Sequence, residues 1–166
     1  MTKTLILMRH AKSDWGAPSL PDKLRPLNAR GQRSATALGD WLRAKGHLPQ
    51  TVLCSSAIRT RETLAGLGLM NTTVNYSDDL YHAEADVMFQ VLKRASSDTV
   101  LMIGHNPGIC DFAQMLMEDA PDHIRFHDYP TCATLVARFD IADWTALQWR
   151  SGQPVDFTVP RDLIGG

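Results

Sequence analysis

Two short, nearly unbroken apolar runs, Thr4–Met8 and Thr99–Ile103, are each followed within two residues by a histidine. Runs of this length without polar alternation fit strands buried on both faces of a parallel sheet, because such strands are covered by helices above and below. The first run stops at Arg9-His10 and the second at Gly104-His105. Between them the chain alternates. Gly16, Pro18, Pro21 and Pro26 make residues 11–27 a loop, and Asn28 then has the chemistry of a helix N-cap. From Ala29 to about Lys45 the apolar residues Ala35, Leu38, Trp41 and Leu42 recur at steps of three and four, and Gly46 stands where a helix ends.

Thr51–Cys54 reads as a second strand, with Ser55-Ser56 as caps for a helix from Ala57 to about Leu67. Val74 and Tyr76 suggest a third strand, and Ala85, Met88, Phe89 and Leu92 have helical spacing. A helix over Ile109–Met117, an irregular stretch to Pro130, and strands at Ala133–Phe139 and Ala146–Arg150 complete the expectation. This order predicts one α/β domain over residues 1–166, a three-layer α/β/α sandwich with a mostly parallel sheet. Ligands of such folds sit beyond the carboxyl ends of the strands.

Charge narrows the partners. Seventeen Lys+Arg against eighteen Asp+Glu give a net charge of −1, so no global field attracts nucleic acid or an anionic membrane, and any anion site is local. No apolar run approaches the ~20 residues of a membrane helix or the pattern of a signal peptide, which places the chain in the cytoplasm. Cys54, Cys110 and Cys132 have neither framework nor CxxC spacing and read as buried free thiols.

Three strand ends deliver chemistry to one edge: Arg9-His10, Ser55-Ser56 leading to Arg59, and His105. Guanidinium forks bind phosphate oxygens in pairs, and a neutral imidazole nitrogen can attack phosphorus, so the set fits covalent phosphoryl transfer. Rival sites fare worse. Cys132 and Arg138 have the Cys-x5-Arg spacing of cysteine phosphatases, but the residues between are strand-like and lack glycine; Cys54 has Thr60 where an arginine is needed. His123, His127 and Asp128 have metal-ligand character but are bracketed by Pro121 and Pro130, with no further ligands apparent. No Walker loop or dinucleotide fingerprint follows a strand. The four tryptophans read as packing residues, with Trp15 alone in a loop near the proposed site.

Leu7-Met8-Arg9-His10-Ala11-Lys12-Ser13, the stretch from Ser55 to Thr63, and Gly104-His105-Asn106-Pro107-Gly108 resemble the three signature blocks of the histidine phosphatase superfamily, whose fold is phosphoglycerate mutase-like. The short chain and the Arg25-Pro26-Leu27-Asn28 block are most similar to SixA-type phosphohistidine phosphatases. The resemblance implies His10 as nucleophile, Arg9 and Arg59 as phosphate clamps and His105 as a donor. It also implies Ser13 and Asn106 as substrate-binding residues and a reaction that needs no metal or other cofactor.

Two departures bear on these roles. The usual Arg-His-Gly reads Arg9-His10-Ala11 here. Where many phosphoester-cleaving members carry a glutamate acid, this chain has His82, with Glu84 the nearest carboxylate. An alkoxide leaving group needs a general acid, and imidazole leaves far more easily. The missing glutamate therefore favours a histidine-phosphorylated protein over a small phosphoester, with His82 or Glu84 as candidate acids. The cations around His10 are also expected to lower its pKa below ~6.5, making it the more acidic of the two site histidines in the empty pocket.

Overall fold

The computed structural model describes residues 1–165. Its elements, in chain order, are β1 (Lys3–Arg9), α1 (Ala29–Lys45), β2 (Thr51–Ser55), α2 (Ile58–Leu67), β3 (Thr73–Ser77), α3 (Ala85–Lys93), β4 (Thr99–Gly104), α4 (Gly108–Leu116), β5 (Thr134–Phe139), β6 (Gln153–Thr158) and α5 (Pro160–Ile164). Short 3-10 turns lie at Asp22–Leu24, Asp78–Leu80 and Trp144–Ala146. The six strands form one sheet in the order β3-β2-β4-β1-β5-β6. The first four are mutually parallel, and β5 alone runs against them, pairing antiparallel with β1 on one side and with β6 on the other.

The apolar runs behave as their composition requires. In β1, Leu5 and Leu7 join one hydrophobic cluster with α3 and α4, while Ile6 and Met8 join the other with α1 and α2. β4 does the same, with Val100 and Met102 on one side and Leu101 and Ile103 on the other. Two strands buried on both faces fix the three layers. Asn28 caps α1, its side chain accepting from the Gly31 N–H, and Gly46 ends the helix at φ 73°, a left-handed conformation that glycine adopts without a side-chain penalty. Cys54, Cys110 and Cys132 are buried free thiols, and burial pushes Cys54 and Cys132 up to about 12. No helix among the described residues is long and apolar enough to cross a membrane.

Two expectations are corrected. Ala146–Arg150 is not a strand: Trp144–Ala146 is a 3-10 turn whose fully buried Trp144 donates its indole N–H to the Ser97 carbonyl, and the last strand is β6. Pro154 obscured that strand in the sequence. It is tolerated because β6 is an edge strand whose pairing with β5 shifts register between Val136 and Ala137. Nor do Ser55 and Ser56 form a regular cap for α2. Its N-cap is Ala57, with no side-chain cap bond, while Ser55 faces His105 and Ser56 donates to Asp78.

Candidate active site

Register brings the two histidines together. Arg9 of β1 pairs with Gly104 of β4, so the next residues, His10 and His105, leave adjacent strand ends with ring centroids 5.3 Å apart. The backbone of His10 is pinned from both sides, its N–H donating to the Gly104 carbonyl and its carbonyl accepting from the Cys132 N–H. Its ring is pinned as well. Nδ1 lies 2.7 Å from the Ala11 carbonyl, an acceptor only, so Nδ1 carries the proton and Nε2 presents its lone pair. Ala11 is fully buried, and its N–H donates to Thr63 Oγ1, which in turn donates to the Arg59 carbonyl. The backbone of Ala11 thus ties the nucleophile segment to α2, a bond that glycine would make equally.

His105 is fixed through Ser55. The Ser55 hydroxyl accepts from the Ala57 N–H at 3.4 Å and keeps its proton to donate to His105 Nε2 at 2.8 Å. The ring proton of neutral His105 therefore sits on Nδ1, which is buried without a partner. Burial is the largest cause lowering both histidines, with the arginines adding to it: His10 falls to about 3 and His105 to about 2. The expected split, with His10 the lower of the two, gives way to a pair of rings held neutral together.

Arg59, 2% exposed, donates from Nη1 and Nη2 to the backbone carbonyl and carboxylate of Asp22. Arg9 donates to the Tyr129 carbonyl at 3.2 Å. A third guanidinium, Arg25, is buried, stacks 3.6 Å over the Trp15 ring and donates to Asp22 and Ser13. Ser13 Oγ accepts from Arg25 and so retains its own proton for a substrate oxygen. The Asn106 side chain is placed differently. Its side-chain amide donates to the carbonyls of Asp128 and Tyr129, so it holds the segment that accepts from Arg9, and both of its side-chain protons are committed there.

Asp22 is the residue the sequence did not single out. Its carboxylate accepts from Arg25, Arg59, the Tyr81 hydroxyl and His82 Nε2. Burial alone would push it up; these hydrogen bonds overcome that and hold it well below the usual carboxylate range. Its place three residues before Arg25, on a 3-10 turn, was the only local signal. His82 is brought to the site, 5.2 Å from the His105 ring, at φ 52°, a conformation that costs a non-glycine residue energy. Glu84 occupies the N-cap position of α3, is exposed, and makes no hydrogen bond or ion pair to the site residues.

The rival constellations are not assembled. Arg138 lies exposed on extended β5, and Cys132 is a fully buried thiol. His123 pairs with Asp162, His127 with Gln114 and Asp128 with Arg125. No group of three or more His, Cys, Asp or Glu that could hold a metal is found among the described residues. Trp144 is packed and Trp149 stacks on Phe89, while Trp15 is 73% exposed beside Arg25.

The electrostatic sum is simple. Three guanidiniums face one carboxylate and two neutral imidazoles, leaving two positive charges uncompensated. The buried side-chain polar atoms without a partner among the described residues are Nε of Arg9, Arg25 and Arg59, Nδ1 of His105 and Oδ1 of Asn106. All belong to this site, and four are donors awaiting an acceptor, as expected of a pocket built for an anion.

Comparison with known proteins agrees with this geometry. The sequence profile described as histidine phosphatase superfamily (branch 1) matches residues 5–87. An uncharacterized protein of Mycobacterium leprae is 36% identical over 165 residues, an alignment covering 93% of this chain and all of that one. A structure from Nakamurella multipartitia, given as a candidate phosphohistidine phosphatase SixA, superposes with a TM-score of 0.80 at 32% identity, covering 96% of this chain and 97% of its own. The fold alone is shared with a phosphoglycerate mutase of Plasmodium falciparum, at a TM-score of 0.62 and 18% identity, over 95% and 91% of the two chains. With Arg9-His10, Arg59 and His105 gathered at one sheet edge and these matches spanning the chain, the protein belongs to the histidine phosphatase superfamily, branch 1.

Proposed function

We propose that this protein is a phosphatase that hydrolyses phosphohistidine on a protein through a covalent intermediate at His10, the whole chain acting as one cytoplasmic domain. In the first step the Nε2 lone pair of His10 forms a bond to phosphorus while the bond from phosphorus to the substrate imidazole breaks. That imidazole leaves and takes a proton from solvent. In the second step water attacks phosphorus, the Nε2–P bond breaks, and inorganic phosphate departs while His10 regains its neutral form. The hydrogen bond from Nδ1 to the Ala11 carbonyl holds the ring in the attacking tautomer throughout. Arg9, Arg25, Arg59, Ser13 and the Nδ1–H of His105 surround the transferring group with donors, so catalysis rests on positioning and charge stabilisation.

The observation that carries this reading is the set of four orphaned buried donors around a lone-pair nitrogen. The choice of phosphohistidine follows from what stands in the acid's place. Asp22 is ionised and cannot donate a proton, and Glu84 makes no hydrogen bond or ion pair to the site residues. His82 is the remaining candidate, half-exposed and paired with Asp22. A leaving imidazole does not need such help, whereas an alkoxide does. Support for a protein substrate comes from the phosphohistidine phosphatase name borne by the 32%-identical structural relative.

Turnover of a phosphohistidine protein against a panel of sugar phosphates and phosphoserine tests the assignment. The phosphohistidine substrate should have the higher kcat/KM by at least tenfold. A preference for the esters would move the assignment to a small-phosphoester phosphatase with His82 as acid.

A further inference from the structure

A second concentration of positive charge adjoins the catalytic segments without taking part in them. Lys12, Arg30, Arg125 and Arg161 line a groove of about 190 Å³ together with Ser34 and Thr131. Arg125 is neutralised by Asp128 at 2.9 Å. Lys12, Arg30 and Arg161 are exposed and have no carboxylate within 4.0 Å among the described residues. Asp162, next to Arg161, is committed to His123 at 2.8 Å and to the Val159 N–H. In a chain of net charge −1, three unpaired cations on one groove are a segregated charge, and long side chains held near one another without counter-ions repel. Arg30 also sits in the first turn of α1, where the helix dipole adds to the positive potential.

Two of the segments that line the groove continue the chain next to the site. Lys12 follows His10 by two residues, and its carbonyl accepts from the Asn28 N–H that leads into α1. Thr131 precedes Cys132, whose N–H donates to the His10 carbonyl, and Pro130 follows Tyr129, the acceptor for Arg9. We infer that this groove docks an acidic segment of the protein substrate, reading Asp and Glu residues that flank the phosphohistidine. The inference rests on the protein-substrate reading above. A nucleic acid fits poorly, because its non-specific affinity grows with the number of phosphates neutralised along a track and the groove offers three free cations.

The test uses the full chain and two synthetic peptides of equal length, with the histidine flanked either by Asp and Glu or by Ser and Gln. Fluorescence anisotropy measures binding of the unphosphorylated peptides. Turnover is measured on their phosphoramidate-phosphorylated forms and on free phosphohistidine. The acidic peptide should bind about tenfold more tightly at low salt and show a correspondingly lower KM, with the advantage fading as salt screens it. In the Arg30→Gln/Arg161→Gln variant that preference should vanish while free phosphohistidine is turned over at the wild-type rate. Equal binding of the two peptides by the wild type would overturn the inference. So would a preference that survives in the variant, or tighter binding of single-stranded RNA or anionic vesicles, lost in the variant. Should no phosphohistidine substrate be turned over, the proposed function fails, and the anisotropy arm still decides the groove.

Discussion

Replacing Asp22 by alanine separates two roles that a carboxylate among arginines can have. In the free protein it occupies Arg59 and Arg25 at 3.0 and 2.8 Å, and an incoming phosphate must take those same donors. Removing one partner of a fully buried ion pair costs about 3–5 kcal/mol. The Asp22 side chain is 40% exposed, so water and screening reduce this to about 1–2 kcal/mol. In a chain of this size each kcal/mol moves Tm by about 2–4 °C, so Asp22→Ala should melt about 2–8 °C below wild type without added anion. Inorganic phosphate should then stabilise the variant more than the wild type, because the guanidiniums no longer have to be taken from a competitor. A tenfold gain in affinity adds about 1.4 kcal/mol at saturating phosphate. Thermal melts at graded phosphate concentrations give both numbers. A smaller phosphate-induced shift in Asp22→Ala than in wild type would refute the competition and make Asp22 a residue that organises the arginines for the anion.

Three further outcomes are expected. Burial holds His10 near 3 and His105 near 2, against ~6.5 unfolded, so the unfolded chain takes up protons first as pH falls. Stability fully present above pH ~6.5 should decline toward pH ~3 by about 1.4 kcal/mol per pH unit for each ring; urea melts of His10→Asn, losing one ring's share of the slope, check it. His82→Gln should leave phosphohistidine turnover within about threefold of wild type while lowering any residual phosphoester turnover more than tenfold, and equal losses on both would remove His82 as an acid. Because three guanidiniums supply the charge stabilisation at the proposed phosphate position, EDTA should leave turnover unchanged, which a chelator titration with zinc and magnesium add-back tests.

What the sequence disclosed and what it hid divide along physical lines. β1 and β4 were legible because burial on both faces demands unbroken apolar runs, and His10 and His105 were legible because they sit one residue beyond those strands. Parallel register then made them neighbours without any local sign of it. Asp22 was hidden because its partners, Arg59, Tyr81 and His82, are 37 to 60 residues away, and only the i,i+3 relation to Arg25 is local. Where the Asn106 amide points was not legible, because membership of a signature block says nothing of it; the carbonyls that take it belong to an irregular loop. β6 was missed because Pro154 marks an edge strand as readily as a break, and the edge position depends on the completed sheet.

The central claim is that the phosphoryl group passes through His10. Single-turnover reaction with a 32P-phosphohistidine protein, quenched in alkali and followed by peptide mapping, measures it directly. The account predicts alkali-stable, acid-labile label on the peptide containing His10, appearing faster than free phosphate and absent from His10→Ala. Release of phosphate at the full rate with no label on His10, or label on His105 in its place, would contradict it.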